Sequence, residues 1–435
     1  MNNIKAGTPD TMEMLAYGGV QFATGFFMAF SAYYLMMFFT DMALIPPAAV
    51  AAILLSYRLI GAIDSPAIAL FINRSRFRGG KYLPYIKWCA LPFAIGVGAL
   101  GFTPVTGAGA RIIYAAFTLI LCELGRTVLE TATFSLLPYL ARDDKTRSKF
   151  VSFSNSSAIL AFIIVGTFML PLAGLFGGAD RNTGFALALV LFAVISIPLN
   201  FNASFRLKER YYGDTQHKPT LKDMFLAIGR SKRLLLFLIG FCLYSMADAF
   251  KSMTTYYYIT FNIARPDLLP LVILTGLVSP LAMQPIIPRL LTYAKKETLI
   301  IIGLVFACGA SLLMIAAGTQ LPALAACIAL YGVSTAIVAN LAFTMIASFT
   351  DEARAMREIN MSEILTATLG LSSSFGIAIA SGITPIAMKT FGYVAQAVYQ
   401  TPDALTGIKM MFIICTAAGM ALAGIVLLAS RKLEL

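Results

Sequence analysis

The segment IIGLVFACGASLLMIAA (301–317) decides the fold class of this chain. Its residues are apolar or small throughout and do not alternate between polar and apolar, as the strands of a membrane barrel do. Similar runs recur along the 435 residues, of which 59% are hydrophobic and only 12% are charged. A surface exposed to water on all sides does not fit this composition. The sequence therefore predicts an all-α integral membrane protein and excludes a water-soluble enzyme.

The apolar runs predict about twelve transmembrane helices, because a bilayer core about 30 Å thick takes roughly 20 residues per helix. Most of the 33 Lys and Arg residues fall in alternate connections between these runs. The positive-inside rule then places both termini and the long central loop in the cytoplasm. Because the basic residues form no single patch, the net charge of +12 does not indicate a nucleic-acid partner. The predicted spans are 14–40, 46–72, 84–105, 110–140, 151–176, 182–204, 234–261, 268–291, 299–318, 321–349, 361–389 and 407–430.

The charged run RLKERYYGDTQHK (206–218) divides the chain into two halves, 1–204 and 234–435, joined by a central loop, 205–233. The halves are weakly similar, since SAYYLMMFFTD (31–41) and TTYYYITFNI (254–263) both end a first span. Such a parallel repeat is typical of transporters with a site near the bilayer midplane. Apolar residues from Leu221 to Ile228 recur at helical spacing, which predicts either a short surface helix or a partly ordered linker. The tyrosine and phenylalanine pairs suggested by the repeat are Tyr33 with Tyr256, Tyr34 with Tyr257, and Phe38 with Phe261.

The chain offers few residues for metal or nucleotide chemistry. Its six cysteines lie inside apolar spans without paired spacing, which favours packing over a disulfide or metal role. The single histidine, His217, lies in the central loop, so a histidine relay within the membrane is excluded. No GxxxxGK[ST] segment is present, so this chain does not hydrolyse ATP to drive transport. We expect neither a metal nor a cofactor.

Ionisable residues inside the apolar spans are the candidates for function, since each is costly there unless it is paired or wetted. One alternative is that they form structural ion pairs, and the other is that they bind a substrate or a coupling ion. We favour function, because apolar packing could replace a purely structural pair at little loss. For Glu123, nearer the end of its span, we favour the structural alternative. The candidates are Arg58 and Asp64 in span two, Glu123, Arg126 and Glu130 in span four, Asp248 and Lys251 in span seven, and Glu363 in span eleven.

Helical spacing predicts how these side chains are arranged. Glu123, Arg126 and Glu130 are separated by three and four residues, so they form one polar stripe on span four. Asp248 and Lys251 are likewise one turn apart. In span two, Asp64 is rotated about 120° away from Arg58, so those two residues do not pair within the helix. The tyrosines that end spans one and seven fit an interfacial aromatic belt at least as well as a surface that stacks on a substrate.

Four segments resemble a known family. The most specific is RLIGAIDSPAIALFINRSRFRGGKYLPYIKW (58–88), and YGGVQFATGFFMAFSAYYLMMFFTD (17–41), LETATFSLLP (129–138) and DEARAMREINMSE (351–363) support it. These segments are similar to the glycoside–pentoside–hexuronide:cation symporters, a branch of the major facilitator superfamily. The resemblance implies a twelve-helix fold that alternates between inward and outward states, and sugar uptake driven by Na⁺ or H⁺.

The resemblance transfers some functional residues and not others. Glu130 matches the acidic residue of the family's span four, and Phe134 falls where the melibiose permease has a tryptophan that stacks on the sugar. Asn155 and Ser374 stand where the family has an arginine in span five and a lysine in span eleven. In span two the family's sodium-binding members carry two carboxylates, whereas this chain has Gly61 and Ser65. Losing those hard oxygen ligands argues against Na⁺ coupling.

The sequence therefore predicts a secondary active transporter for a sugar, glycoside or organic anion, coupled to H⁺ through Asp64 and Glu130. We expect it to act as a monomer in the inner membrane of a bacterium and not as an enzyme. A uniporter or exchanger, an exporter of an amphipathic compound and a transport-inactive, receptor-like protein remain alternatives. The predicted substrate-binding residues are Glu130, Arg126, Phe134, Asn155, Arg58, Lys251, Tyr257 and Ser374.

Overall fold

The structure is a computed structural model that describes residues 10–74, 80–103, 107–141, 144–178, 180–210, 231–283, 286–318, 320–357, 362–397 and 399–432. The architecture of these residues is helical, which confirms the predicted all-α class. The long helices are α1 (Thr11–Tyr33), α2 (Pro47–Arg74), α3 (Leu83–Leu100), α4 (Ala108–Leu140), α5 (Asp144–Gly177), α6 (Arg181–Arg206), α7 (Lys232–Tyr257), α8 (Leu269–Met283), α9 (Lys296–Ala317), α10 (Leu321–Arg357), α11 (Ser362–Thr390) and α12 (Thr416–Lys432).

Most of these helices have the length and composition of membrane spans. Within the described residues, 10 helices are long and apolar enough to cross a membrane. The number rises to 11 if α1 and its continuation Leu35–Met42, bent by 64°, form one span. Pro47–Gly61 is a shorter apolar helix. The predicted central surface helix lies outside the described residues.

The bends at the ends of α1 and α7 share one local geometry. Each helix runs into a π-helical turn, Phe38–Met42 after α1 and Tyr258–Asn262 after α7. Each turn is soon followed by a residue with positive φ, Leu44 at 53° and Ala264 at 58°. By these landmarks Phe38 corresponds to Tyr258, three residues before the Phe261 that the sequence comparison pairs with it. The two turns match in the backbone, but their register differs from the one suggested by the aromatic residues.

The chain forms two compact units whose boundaries do not follow chain order. Unit 1 comprises Met1–Ser31, Met42–Ile45 and Ile63–Gln216. Unit 2 comprises Ala32–Asp41, Pro46–Ala62 and His217–Leu435. The end of α1 and the start of α2 therefore belong to the same unit as α7 to α12. The division predicted from the central loop, 1–204 and 234–435, stays a prediction.

In unit 1 a short segment after α6, Leu207–Arg210, ties several helix ends together. The Glu209 carboxylate accepts hydrogen bonds from the backbone N–H groups of Lys81, Tyr82 and Leu83, at distances from 2.7 to 3.3 Å. It thereby caps α3, whose first N–H groups have no partner within the helix. The Arg210 side chain binds Glu13 at 2.7 Å, and its backbone N–H donates to the carbonyl of Tyr139 at 3.0 Å. Three helices of unit 1 are thus held by two adjacent residues.

In unit 2 the helices pack closely where they carry small residues. α7 packs against α11 and α12, and α9 packs against α10 and α12. Gly376 of α11 faces the backbone of Cys242 in α7, and a Cβ atom at this glycine would overlap that backbone. Gly419 of α12 faces Ala247 of α7 in the same way. Small residues at such crossings let membrane helices approach until their backbones touch.

Candidate functional site

Three charged side chains form one connected group on α4 of unit 1. Arg126 donates from Nε to Glu123 Oε2 at 3.1 Å, and from a terminal nitrogen to the Glu130 carboxylate. The exposed fraction of the side chain is 13% for Arg126, 3% for Glu123 and 21% for Glu130. The predicted polar stripe is confirmed. With both acids ionised, one guanidinium neutralises half of the negative charge, and the group carries a net charge of −1.

Of two other predicted residues of unit 1, Phe134 lies next to this stripe and Asn155 lies on another helix. Phe134 is one turn beyond Glu130 on the same face of α4, and its side chain is 50% exposed. Asn155 is exposed on α5, a different helix of the unit. The structure therefore brings Glu130, Arg126 and Phe134 together on α4.

Lys251 of α7 is buried in unit 2 against aromatic rings and a sulfur atom. Its ammonium nitrogen lies 3.7 Å from the centre of the Tyr331 ring and 5.0 Å from that of Phe412. It also lies 3.5 Å from Sδ of Met314, and the residue is only 7% exposed. A cation over an aromatic face is stabilised by the charge distribution of the ring, most strongly where water is excluded. Aromatic groups therefore surround the predicted substrate-binding lysine.

Asp248, one turn before Lys251, is held by the same tyrosine. Its Oδ1 accepts a hydrogen bond from the Tyr331 hydroxyl at 3.0 Å. In the described parts of α7 and α10, Asp248 and Lys251 form no direct ion pair, and each uses a different part of Tyr331. A functional role for these two residues stays a prediction.

The remaining predicted substrate residues lie elsewhere in unit 2. The guanidinium carbon of Arg58 on α2 lies 4.7 Å from the centre of the Tyr57 ring. Tyr257 at the end of α7 is fully buried, and its hydroxyl shares a hydrogen bond with Thr40 at 2.9 Å. Ser374 on α11 is half-buried. These three residues have surroundings distinct from those of Lys251.

The predicted coupling residue Asp64 lies on α2, but its side chain falls outside the described residues. The same holds for Ser65 and for Glu363 at the start of α11. Their roles stay predictions. Elsewhere, the six cysteines are free thiols. Among the described residues, no group of three or more His, Cys, Asp or Glu side chains could hold a metal ion.

One buried acid escaped the sequence analysis. Asp41, only 7% exposed, lies in the π-helical turn after α1 and accepts hydrogen bonds from the Tyr393 hydroxyl at 2.9 and 3.0 Å. Thr40 donates to the same carboxylate at 3.3 Å, and the Gln396 amide donates to the Asp41 backbone carbonyl at 2.8 Å. The Tyr393 ring packs edge-on against Tyr257, with 5.3 Å between ring centres. Asp41 is thus stabilised by hydroxyl donors within unit 2.

Tyr393 lies in the connection after α11, and its hydroxyl acts only as a hydrogen-bond donor. Burial raises the pKa of the Tyr393 phenol well above its ordinary value, and the neighbouring Tyr257 and Asp41 raise it further. The phenol therefore stays protonated and donates to Asp41 over the physiological range. In the sequence, the signal for this site is an acid placed directly after a long apolar and aromatic run.

The chain matches one protein family over nearly its whole length, and a solved structure shares its fold. The profile of the MFS/sugar transport protein family matches residues 16–432. The chain is 26% identical to the isoprimeverose transporter of Lactiplantibacillus pentosus over 422 residues, which covers 96% of this chain and 88% of that protein. It is 25% identical to a putative glycoside/cation symporter of Escherichia coli K12, over 61% of this chain and 57% of that protein. The crystal structure of the nucleoside transporter NupG, 11% identical, superposes with a TM-score of 0.72 over 97% of this chain and all of that chain.

Proposed function

The chain belongs to the MFS/sugar transport protein family and is a secondary transporter, and we propose that it carries a sugar-like or anionic organic solute together with a proton. The resemblance to the glycoside–pentoside–hexuronide:cation symporters is confirmed by this membership. The observation that carries the proposal is the group of Arg126, Glu123 and Glu130 on α4. Three buried or half-buried charges on one apolar helix are costly, and such groups mark substrate and proton pathways in membrane proteins.

The substrate side of the proposal rests on two kinds of surface. Glu130 can accept hydrogen bonds from sugar hydroxyls, and the half-exposed ring of Phe134 one turn away can stack on a sugar face. In unit 2, Lys251 supplies a positive charge that contacts rings and a sulfur atom. A carboxylate or sulfonate on the solute would give this cation a stronger partner than an aromatic ring. The proposed cargo is therefore a small polyhydroxylated solute, including solutes that carry one anionic group.

The coupling side of the proposal names the proton. Glu130 and Asp64 are the acids assigned to it, because an acid surrounded by apolar helix can load and release H⁺ as its surroundings become wet or dry. Na⁺ is disfavoured, since Gly61 and Ser65 supply no carboxylate at the positions where sodium-binding relatives have them. Arg126 favours the ionised form of Glu130, and the solute or a proton competes with it for the carboxylate.

The finer architecture is also part of the proposal. The described spans, together with α1 and its bent continuation and α2, support a twelve-helix transporter with two halves of about six helices. The bias of basic residues supports cytoplasmic termini. The bacterial relatives support the inner membrane. We propose a monomer as the transporting species.

Flux into sealed vesicles tests the function. Purified protein is reconstituted into liposomes, and uptake of labelled glycosides and uronides is followed under an imposed pH gradient or an imposed Na⁺ gradient at constant ionic strength. We expect accumulation that follows the pH gradient and is abolished by a proton ionophore. Accumulation that follows Na⁺ and ignores pH would contradict proton coupling. Solute equilibration without accumulation would identify a uniporter, and binding without flux would identify a receptor-like protein.

A further inference from the structure

Tyr331 of α10 contacts both charged residues of α7 with two different parts of one side chain. Its hydroxyl donates to Asp248 Oδ1 at 3.0 Å, and the centre of its ring lies 3.7 Å from the Lys251 ammonium nitrogen. Asp248 and Lys251 are one turn apart on one helix, a spacing at which an acid and a base ordinarily pair. Within the described parts of unit 2, these two side chains do not pair. The phenol of Tyr331 therefore replaces an ion pair with two separate contacts.

The position of Tyr331 is fixed by its neighbours in unit 2. The residue itself is buried. Gly332, the next residue, lies so close to Ser279 of α8 that a Cβ atom at this glycine would overlap the serine hydroxyl. One turn further along α10, the carbonyl of Thr335 accepts a hydrogen bond from the Tyr244 hydroxyl of α7 at 3.2 Å. Because α10 is held against both α8 and α7, the phenol stays beside the two charges.

The contacts of Tyr331 leave Lys251 with a full charge and only neutral partners. Its buried ammonium faces the rings of Tyr331 and Phe412 and the sulfur of Met314. A carboxylate binds an ammonium group more strongly than a ring or a thioether does. If Asp248 were free to turn toward Lys251, it would take this place, and a solute anion would have to displace it. The hydrogen bond from Tyr331 holds the Asp248 carboxylate away.

The three residues lie at the depth where a transporter binds its solute. Asp248 and Lys251 fall near the middle of the candidate span Lys232–Asn262, and Tyr331 falls near the middle of the candidate span Leu321–Ile346. Substrate sites of secondary transporters lie near the bilayer midplane. Asp248 is half-buried, so the pair is not sealed off completely. An anion that arrives at this depth meets an ammonium group that its own helix has not neutralised.

We propose that Tyr331 is a positioning residue for anion binding, which holds Asp248 so that the Lys251 ammonium stays available to a carboxylate or sulfonate on the solute. The inference rests on the proposed function and names solutes with one anionic group as the preferred cargo. Loss of the hydroxyl would let Asp248 pair with Lys251 and close the anion site in a folded protein. Removal of the Asp248 carboxylate as well would reopen it. A role of Tyr331 in packing alone predicts neither result.

Titration calorimetry on the purified, detergent-solubilised chain tests the proposal. The two probes are phenyl glucuronide and phenyl glucoside, which differ only in a carboxylate in place of a hydroxymethyl group. Tyr331→Phe keeps the ring and removes the hydroxyl. We expect its affinity for the glucuronide to fall about tenfold, the value of roughly one hydrogen bond to a charged group, and its affinity for the glucoside to stay unchanged. Adding Asp248→Asn should restore the glucuronide affinity to that of Asp248→Asn alone.

Tyr244→Phe is the matched control, because Tyr244 is a buried tyrosine between the same two helices whose hydroxyl donates to a backbone carbonyl rather than to an acid. It should bind both probes like the unaltered protein. The proposal is overturned if Tyr331→Phe keeps its glucuronide affinity, if it loses affinity for both probes equally, or if Asp248→Asn does not restore binding. An unaltered protein that binds neither probe would instead contradict the proposed function, and the role of Tyr331 is then decided without a solute.

Melting temperatures supply this second measurement. They are compared for Asp248→Asn, Lys251→Met and the double variant, first with Tyr331 intact and then with Tyr331→Phe added to each. The departure from additivity reports how strongly the acid and the base interact. We expect this departure to grow when the hydroxyl is removed, because only then do the two side chains pair directly. An equal or smaller departure overturns the proposal.

Discussion

The charged groups of α4 and α7 have similar spacing in the sequence and different chemistry in the structure. On α4 the acids and the base form ion pairs, because the Arg126 guanidinium reaches carboxylates on both the preceding and the following turn. On α7 the acid and the base stay apart, because Tyr331 takes the Asp248 carboxylate with its hydroxyl and the Lys251 ammonium with its ring. Spacing alone therefore does not tell which charges pair.

The difference extends to another acid of unit 2, Asp41, which is buried. Asp41, like Asp248, is held by a tyrosine hydroxyl, whereas the acids of α4 are held by a guanidinium. A cation pairs with an ionised acid and loses its partner when the acid is protonated, whereas a hydroxyl can donate to the ionised acid and can donate to or accept from the protonated one. The α4 group is thus sensitive to removal of charge, and the tyrosine-held acids are sensitive to removal of a donor.

The largest effect is expected at Arg126. Arg126→Ala leaves two carboxylates on α4 without their cation, and breaking a buried pair in this way costs about 3–5 kcal/mol. We expect a marked fall in the melting temperature of the solubilised protein and in the amount that reaches the membrane. Adding Glu123→Gln and Glu130→Gln to Arg126→Met removes all three charges and should restore most of the stability. An Arg126→Ala variant that melts like the unaltered protein would show that the α4 group is well hydrated and contributes little.

The second effect concerns transport. Glu130→Gln keeps the shape and most hydrogen bonds of the side chain but removes the titratable charge. Arg126 still has Glu123, so the variant should fold, and we expect gradient-driven accumulation to fall to the level of empty vesicles. Glu123→Gln is the matched control and should keep accumulation, because Glu123 is the more buried acid of the group and is predicted to have a structural role.

Substrate binding to the same variant separates the two roles of Glu130. If the variant still binds substrate but no longer accumulates it, Glu130 is a coupling residue. If the variant no longer binds substrate, Glu130 is a substrate ligand. Accumulation at the level of the unaltered protein would remove Glu130 from the site altogether.

The helical class and most of the spans were predictable, because long apolar runs follow from the thickness of the bilayer core. The boundaries of α4 and α6 agree with the predicted spans to within two residues at each end. The π-helical turns after α1 and α7 were not predictable, since the same apolar residues suit a continued α-helix equally well. Those turns shift the register of the repeat away from the one suggested by the tyrosines.

The site was predictable where it depends on one helix and not where it depends on several. The stripe on α4 follows from helical spacing alone. The aromatic residues around Lys251 come from α10 and from Phe412, which lie far away in the chain. No local sequence pattern predicts these contacts. Asp41 was missed for the same reason, because its partner Tyr393 lies 352 residues later.

A third, smaller effect is expected at Lys251. Lys251→Met replaces the ammonium with an apolar side chain of similar length among Tyr331, Phe412 and Met314, so the protein should remain folded. We expect affinity for a glucuronide to fall about tenfold, which is the value of roughly one charge-assisted hydrogen bond, while affinity for a neutral glycoside stays unchanged. Titration calorimetry on both solutes measures the difference, with Lys232→Met at the exposed start of the same helix as control. Equal losses for both solutes would mean that Lys251 supports the packing of the unit and does not bind an anion.

The smallest effect is expected at Tyr393. Tyr393→Phe keeps the ring against Tyr257 but removes the hydroxyl that donates to both Asp41 oxygens, leaving Thr40 as the remaining side-chain donor. Because one donor remains, we expect a loss of about 1 kcal/mol in the free energy of unfolding. Tyr399→Phe is the control, since that side chain is 90% exposed and should change nothing. Adding Asp41→Asn should reduce the loss caused by Tyr393→Phe, because a neutral amide depends less on hydrogen-bond donors than a carboxylate does. Tyr393→Phe could instead lower the free energy of unfolding as much as Arg126→Ala does. Asp41 would then depend on its hydroxyl donor as strongly as the acids of α4 depend on their cation, and the contrast between the two units would be wrong.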